Sequence, residues 1–160
     1  MTENTPRRRG RQLPAADELR IWREYIETAE ALRSELAARL QTDSALSPGD
    51  YAVMLALSEA PERRLRSSDL AAGIGWERSR LSHHLGRMER RALIRREDCA
   101  TDSRGAEIVL TDTGAAAFRG ATVPHLRAIR ELFVDRLTAD EMAAAGQVAA
   151  ALRSGLRSGG

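Results

Sequence analysis

The chain has 160 residues, of which 42% are hydrophobic but only 4% aromatic, and its formal net charge is +2. This length suits a single domain with a sizeable core, while the lack of a long apolar run and the single cysteine argue against a membrane-spanning helix and an internal disulfide framework. The charge is uneven, because residues 15–62 hold 4 arginines against 10 acidic residues and residues 63–104 hold 11 arginines against 6. A basic middle segment indicates a partner with negative charge.

An arm and a long helix are predicted at the start of the chain. Residues 1–14 contain four arginines with a proline on either side. We expect a disordered basic arm that either contacts phosphates or is only a solvated tail. The same residues lack the apolar stretch of a signal peptide, so we expect a cytoplasmic protein. From 15 to 41, apolar residues recur every three or four positions, which is typical of an amphipathic helix.

Two short helices and a very short strand are predicted next. Ser47 is a suitable N-cap for a helix with Pro48 at its first position. A strand is expected at Leu65, followed by a small helix that Ser67 caps. Residues 73–75, which contain two glycines, then predict the turn of a helix-turn-helix.

The following predicted helix, residues 79–91, has two different faces. Its apolar stripe has the spacing of a core-facing helix and consists of Leu81, Leu85, Met88 and Ala92. The opposite face carries hydroxyl, imidazole and guanidinium groups, namely Ser79, Arg80, His83, Gly86, Arg87 and Arg90. Such side chains suit a DNA groove, since arginine binds guanine edges or phosphates with two hydrogen bonds. Gly86 costs the helix about 1 kcal/mol relative to alanine, which a close backbone approach would explain.

A β-hairpin with a polar tip is predicted after this helix. Strand candidates at 93–96 and 106–110 flank a run rich in turn-forming residues, and Ala106, Ile108 and Leu110 alternate so that they could share one face. An arginine held at a hairpin tip can reach into a narrow minor groove, where the negative potential is concentrated. A basic helix followed by a basic hairpin predicts a winged helix-turn-helix.

Two more helices are expected after the hairpin. The first follows Thr111, a suitable N-cap, and continues to about residue 136, with Pro124 expected to kink it. The second covers 139–156 and begins with a capping box at Thr138. The apolar stripes of these helices and of the first helix exceed what one small winged domain can bury, so we expect the chain to dimerise.

Four short motifs occur in a distinctive order. They are Ser67-Ser68-Asp69-Leu70-Ala71, Leu81-Ser82-His83-His84-Leu85, Asp102-Ser103-Arg104-Gly105 and Leu110-Thr111-Asp112-Thr113-Gly114. Their order and spacing resemble the multiple-antibiotic-resistance regulator (MarR) family, and the most specific element is the Asp-x-Arg-Gly tip followed by Leu-Thr-x-x-Gly. The resemblance covers roughly residues 15 to 155.

This resemblance implies a mainly α fold with a small β-hairpin. After the basic arm at 1–14, the implied domain covers 15–157 and contains a winged helix-turn-helix DNA-binding lobe at 47–112 and dimerisation helices at 15–41, 114–136 and 139–156. It also implies a homodimeric transcription regulator, expected here to be a repressor that binds a palindromic operator in double-stranded DNA. A small-molecule effector is expected to release it from the operator.

Nine residues are candidates for DNA contacts. They are Ser67, Ser79, Arg80, Ser82, His83, Arg87, Arg90, Asp102 and Arg104. Arg80 and His83, near the start of the helix, are expected at base edges, and the two later arginines at phosphates. Arg104, at the hairpin tip, is expected to enter the minor groove with Asp102 bracing its loop.

An effector is expected to bind at aromatic and methionine side chains of the first two helices, although residues of this kind are usually core. The residues are Trp22, Tyr25, Tyr51 and Met54, and the ligand would be a small aromatic or amphipathic molecule. Cys99 is a weaker candidate for redox regulation, because the neighbouring Glu97 and Asp98 disfavour a thiolate.

Other classes of function explain the sequence less well. His83 and His84 are adjacent and project about 100° apart on a helix, and no His-Glu-x-x-His or paired-cysteine pattern occurs, so we expect no metal, cofactor or enzyme activity. The strongest alternative is a winged-helix module whose basic face binds an acidic protein. A helix bundle with a merely solvated arginine face is a further alternative. DNA binding differs from both because it predicts a sequence preference together with a steep dependence on salt.

Overall fold

The computed structural model describes residues 13–98 and 106–157. Within these ranges the helices are α1 (Ala16–Ser44), α2 (Pro48–Glu59), α3 (Ser67–Ile74), α4 (Arg78–Arg90), α5 (Asp112–Leu132) and α6 (Ala139–Arg157). The strands are β1 (Arg64–Arg66), β2 (Ile94–Asp98) and β3 (Ala106–Leu110), and two 3-10 turns cover Pro61–Arg63 and Val134–Arg136. A mainly helical fold with a small sheet is therefore as predicted. Most of the arm 1–14, and the hairpin tip with Cys99, Asp102 and Arg104, lie outside the described residues.

Two compact units divide α1 between them, one ending at Glu35 and the other beginning at Leu36. In the first unit the apolar side chains of α1 are largely exposed, with Trp22 60% and Tyr25 50% accessible. In the second unit the helix continues past its predicted end at residue 41 to Ser44. It stops there because Ala45 adopts a left-handed φ of 53°, which a helix cannot continue through.

Helix α2 begins with the predicted cap. The Ser47 hydroxyl accepts the Asp50 N–H at 3.1 Å, and the Asp50 carboxylate accepts the Ser47 N–H at 2.9 Å, so the two residues form a reciprocal capping box. Its inward face buries Val53, Met54 and Leu57 completely. The prediction of a helix that starts after Ser47 is confirmed.

The three strands form one antiparallel sheet in the order β1-β3-β2. Leu65 of the predicted very short strand pairs with Ile108 of β3, so the sheet contains this strand as well as the hairpin. Strand β2 begins at Ile94, one residue after its predicted start, and extends to Asp98. Because β3 is the central strand, Ile108 and Leu110 of the predicted shared face are buried, and Val109 is buried as well, between its cross-strand partners Arg64 and Arg95.

Three local predictions around the helix-turn-helix are wrong. Ser67 is the first residue of α3 and makes no capping hydrogen bond, because Arg66 occupies the N-cap position. The helix also continues to Ile74, so the turn starts at Gly75, whose φ of 68° ends α3. Ala92 does not extend the apolar stripe of α4, because the helix ends at Arg90 and Ala92 adopts an exposed turn with φ of 56°.

The last two helices begin at the predicted caps. The Thr111 hydroxyl accepts the Gly114 N–H at 2.9 Å, and α5 begins at Asp112, directly after this predicted cap. The helix ends at Leu132, and a 3-10 turn replaces its predicted last residues. Helix α6 starts with a capping box, because the Glu141 carboxylate accepts the Thr138 N–H at 2.8 Å while the Thr138 hydroxyl accepts the Glu141 N–H at 3.3 Å.

The hydrophobic core of the second unit joins α2, α3, α4, the sheet and the first half of α5. Its largest completely buried side chains are Leu46, Val53, Met54, Leu57, Leu70, Leu81, Leu85, Met88, Ile94 and Ile108. The three α4 residues among these are the predicted inward stripe apart from Ala92. Among the described residues, no helix has the length and apolar character needed to cross a membrane.

Candidate nucleic-acid interface

Helix α4 exposes the polar face that the sequence predicts for it. Its accessible side chains include Ser79, Arg80, Ser82, His83, Arg87 and Arg90, six of the nine predicted contact residues. The first turn of this helix holds no acidic residue. Of the other three, Ser67 is half-buried at the start of α3, and the tip residues Asp102 and Arg104 lie outside the described ranges. The structure therefore gathers the helical candidates on one basic surface, and their contacts with DNA stay a prediction.

Arg80 is held over an aromatic ring. Its guanidinium carbon lies 4.3 Å from the centre of the Trp76 ring, a distance at which the positive charge is attracted by the ring's negative face. Trp76 in turn packs edge-on against the buried His84 ring, with 5.1 Å between centres and an interplanar angle of 84°. Trp76 thus packs in the turn before α4, and its stacking with Arg80 restricts the orientations of the arginine.

Arg87 contacts both histidines of α4. Its Nη1 lies 3.0 Å from Nδ1 of His83, and its Nη2 lies 2.7 Å from Nδ1 of His84. His83 is exposed, whereas His84 is only 7% accessible. The two rings point about 100° apart on the helix, yet one planar guanidinium spans them. A buried histidine is thereby connected to an exposed one.

Asp50 connects α2 to α4. It is 3% accessible, its Oδ1 lies 3.0 Å from Nε2 of His84, and its Oδ2 lies 2.7 Å from Nη1 of Arg91. Arg91 also donates to the Ala45 carbonyl in the turn before α2. The sequence places Asp50 only in the first turn of the helix after Ser47 and predicts no contact with His84 or Arg91, because these residues meet only when the two helices pack together.

The environment sets the charge of this buried pair. Burial raises the pKa of Asp50, but the Ser47 N–H and the charged Arg91 outweigh it, so the pKa lies below its usual value of 3.8. Burial lowers the pKa of His84 below 6.5, and the positive charges of Arg87 and Arg80 lower it further against the opposing effect of Asp50. Asp50 is therefore ionised and His84 neutral at neutral pH.

Acidification is expected to destabilise the fold before its carboxylates titrate. An unfolded histidine gains its proton near pH 6.5, whereas His84 in the folded chain gains it only at lower pH, so unfolding takes up a proton below about pH 6.5. His125, whose pKa burial also lowers, acts in the same direction. Urea unfolding midpoints should fall between pH 7 and about pH 5.5, and His84→Gln should reduce the slope. A midpoint that rises on acidification would contradict these pKa directions.

Arginines at the base of the sheet are paired with acids, unlike those on α4. Nη1 of Arg64 lies 3.2 Å from the Glu97 carboxylate and 3.1 Å from that of Glu107, and Nε of Arg95 lies 2.6 Å from Glu97. The hydrogen bond from Arg95 is the main reason that the pKa of Glu97 lies below its usual value. These pairs neutralise much of the charge of the strands, whereas among the described residues the arginines of α4 form no ion pair with an acidic side chain.

Arg96 joins the sheet to the exposed face of α4. Its Nη2 donates to the Ser82 carbonyl at 2.9 Å, and its backbone N–H donates to the Glu89 carboxylate at 3.2 Å. Gly86 lies close by, but a Cβ placed there would meet no described atom nearer than 3.9 Å. The fold itself therefore does not require glycine at this position, and the close approach of a partner stays the predicted reason for it.

The lobe built from α2, α3, α4 and the three-stranded sheet, with α4 exposed beside the hairpin, is a winged helix-turn-helix. The MarR family model matches residues 46–105. The transcriptional regulator HosA of Escherichia coli is 33% identical over 96 residues, which cover 60% of this chain and 69% of HosA. The chain belongs to the MarR family of transcription regulators.

Two solved structures from Streptomyces coelicolor extend the similarity to most of the chain. Sco3205, a MarR family transcriptional regulator crystallised in complex with DNA, has a TM-score of 0.85 and 37% identity, with 91% of this chain and 92% of Sco3205 covered. AbsC, a second MarR family transcriptional regulator, has a TM-score of 0.85 and 32% identity, with 92% and 99% covered. The fold similarity therefore includes helices outside the winged lobe.

Proposed function

We propose that this chain is a sequence-specific DNA-binding repressor that acts as a homodimer on a palindromic operator. The observation that carries the proposal is the exposed face of α4, where arginines, serines and a histidine share one surface. The crystallisation of the similar regulator Sco3205 with DNA supports the choice of DNA as partner. An acidic protein partner is the alternative, and it would not require these side chains to read base edges.

We propose different DNA contacts for the candidate residues according to where each lies in the fold. Arg80, oriented by Trp76, is proposed to bind a base edge in the major groove, where a guanidinium can donate two hydrogen bonds to guanine. Arg90, at the exposed end of α4, is proposed to bind phosphate. Arg104 and Asp102 are proposed to work at the minor groove, as the motif around them predicts.

We propose that a second copy of the chain buries its exposed apolar side chains in a dimer interface. These occur along α1, α5 and α6 and include Leu19, Ile21, Trp22, Tyr25, Val123, Leu126, Val148, Leu152 and Leu156. On each helix most of these side chains recur every three or four residues, so they form an apolar stripe, and exposed apolar surface of this kind marks interaction sites. A two-fold dimer would present two copies of α4 about one DNA turn apart, which matches a palindromic site.

Release by a small aromatic or amphipathic molecule is proposed on the basis of an aromatic cluster between α2 and α5. The Tyr51 ring lies 5.1 Å from the Phe118 ring and 4.6 Å from the His125 ring. The buried Nδ1 of His125 lacks a hydrogen-bond partner among the described residues. Of the predicted pocket residues, Tyr51 belongs to this cluster, Met54 is buried in the core, and Trp22 and Tyr25 are exposed on α1. A small aromatic or amphipathic molecule that changes tryptophan emission and releases bound DNA would support the proposal. If no ligand in a broad screen does either, the proposal is wrong.

The test of function is selection of bound duplexes from a random pool with the full-length protein. We expect a two-fold symmetric consensus. Arg80→Ala should then lower affinity by about 1–3 kcal/mol and relax base preference at one symmetric pair of positions. Arg130→Ala is the control: it removes an exposed arginine near the end of α5, which is paired with Asp135 in the following 3-10 turn. This substitution should leave the base preference unchanged. Failure to enrich any sequence, with affinity for an acidic protein instead, would favour the alternative.

A further inference from the structure

We propose that Asp50 and His84 are positioning residues for DNA readout: acting through Arg87, they fix His83 in the tautomer that carries its proton on Nε2, so that α4 presents a hydrogen-bond donor to a base edge. The inference rests on the proposed function, because it assigns a specificity to the same surface.

The direction of the hydrogen bonds follows from the chemistry of arginine. A guanidinium has five N–H donors and no acceptor. Arg87 lies 3.0 Å from Nδ1 of His83 and 2.7 Å from Nδ1 of His84, so both of these nitrogens accept. A neutral imidazole carries one proton, and with Nδ1 accepting, that proton must be on Nε2 in each ring.

The contact between His84 and Asp50 favours the same tautomer of His84. Nε2 of His84 faces the ionised Asp50 carboxylate at 3.0 Å, and a negative oxygen favours a proton on the nitrogen that faces it. The N–H is not well aligned with that oxygen, so the preference is electrostatic more than a strong hydrogen bond. The lowered pKa of His84 keeps the ring neutral, and its Nδ1 is thereby free to accept from Arg87.

Close packing prevents the His84 ring from turning. A Cβ added at Gly49 would lie 2.8 Å from Cε1 of His84 and 2.8 Å from the Trp76 ring. The helix α2 backbone therefore contacts both rings as closely as a glycine permits. Asp50, the next residue, is itself held by Ser47 and Arg91. Because His84 and Asp50 are fixed in this way, His84 can hold the exposed Arg87 in one orientation.

The consequence for recognition concerns the outward nitrogen of His83. With Nδ1 accepting from Arg87, the ring offers Nε2–H to a partner. In the major groove this donor suits the N7 and O6 atoms of guanine, the N7 of adenine or the O4 of thymine, whereas cytosine offers only the N4 amino donor. We therefore expect the base that His83 contacts to be selected against cytosine.

Long-range proton–nitrogen spectra of the histidine rings in the full-length protein test the tautomers directly at pH 7.5. The three histidine signals are assigned with His83→Gln and His125→Gln. We expect His83 and His84 each to show a single tautomer with the proton on Nε2. In Arg87→Met, His83 should become a mixture of both tautomers, while Arg90→Met, which removes an exposed charge one turn away, should leave the spectrum unchanged. A proton on Nδ1 of His83 in the unsubstituted protein, or an unchanged spectrum in Arg87→Met, would overturn the proposal.

A binding measurement then separates positioning from simple loss of contact. On the selected duplex, His84→Met should reduce discrimination against cytosine at the His83 position by about tenfold while changing affinity for a scrambled duplex little. Leu85→Met, a substitution at a buried neighbour, should leave the discrimination intact. Undiminished discrimination in folded His84→Met would count against positioning. If no duplex is selected at all, the proposed function fails, whereas the histidine spectra still decide the tautomers.

Discussion

Replacing Gly114 with alanine is expected to destabilise the winged lobe by more than about 3 kcal/mol. A Cβ at this position would lie 2.0 Å from the Leu93 carbonyl oxygen and 2.8 Å from Cδ1 of Leu110. The carbonyl cannot move away cheaply, because it accepts the Thr111 N–H at 3.2 Å and the Thr111 hydroxyl at 3.0 Å. Relief of the clash would therefore break the contact between the start of α5 and the segment that joins α4 to β2.

Gly120→Ala is the matched control, since it makes the same substitution in the same helix. No described atom lies within 4 Å of a Cβ placed there, and alanine favours a helix over glycine by up to about 1 kcal/mol. Urea unfolding followed by circular dichroism should show a large loss for Gly114→Ala and a small gain for Gly120→Ala. If the two substitutions changed the free energy of unfolding equally, close packing of Gly114 against Leu93 would not be important for stability.

Asp50→Ala is expected to cost about 2–4 kcal/mol, because it removes a hydrogen bond between charged groups, worth about 1.5–3 kcal/mol, together with a helix cap worth about 1 kcal/mol. The substitution leaves the His84 ring facing an apolar space and deprives Arg91 of its 2.7 Å partner. It also removes one half of the capping box with Ser47. Measurement of the free energy of unfolding at pH 7.5 checks the prediction.

Glu141→Ala separates the capping effect from the buried contacts. Glu141 occupies the same position in α6 and makes the same reciprocal hydrogen bonds with Thr138, but at an exposed helix start. Its removal should cost about 1 kcal/mol. If Asp50→Ala cost no more than Glu141→Ala, Asp50 would be only a helix cap and its link to α4 would have no energetic importance.

Features that depend on neighbouring residues could be predicted from the sequence. The caps at Ser47, Thr111 and Thr138 use side chains only three residues from their backbone partners, and such signals are readable without knowledge of the fold. The apolar spacing of Leu81 and Leu85 likewise predicted which face of α4 is buried. The mainly helical winged fold followed from these elements and from the order of the four motifs.

Features that depend on packing could not be predicted. The burial of Val109 follows from the pairing of β1 with β3, which joins residues more than forty positions apart. Ala92 fits the spacing of the apolar stripe in the sequence, but its positive φ places it beyond the end of α4. The contacts of Asp50 with His84 and Arg91 arise only after α2 and α4 meet. No local pattern marks an aspartate in a first turn as the centre of a buried network.

The most direct test of the central claim compares the affinity of the full-length protein for its selected duplex and for a scrambled duplex of equal length and composition. Both affinities should fall as salt increases, because arginines on α4 displace counterions from phosphates. At physiological salt the selected duplex should bind about a thousandfold more tightly or better. Equal affinity for both duplexes at every salt concentration would contradict sequence-specific recognition by this surface.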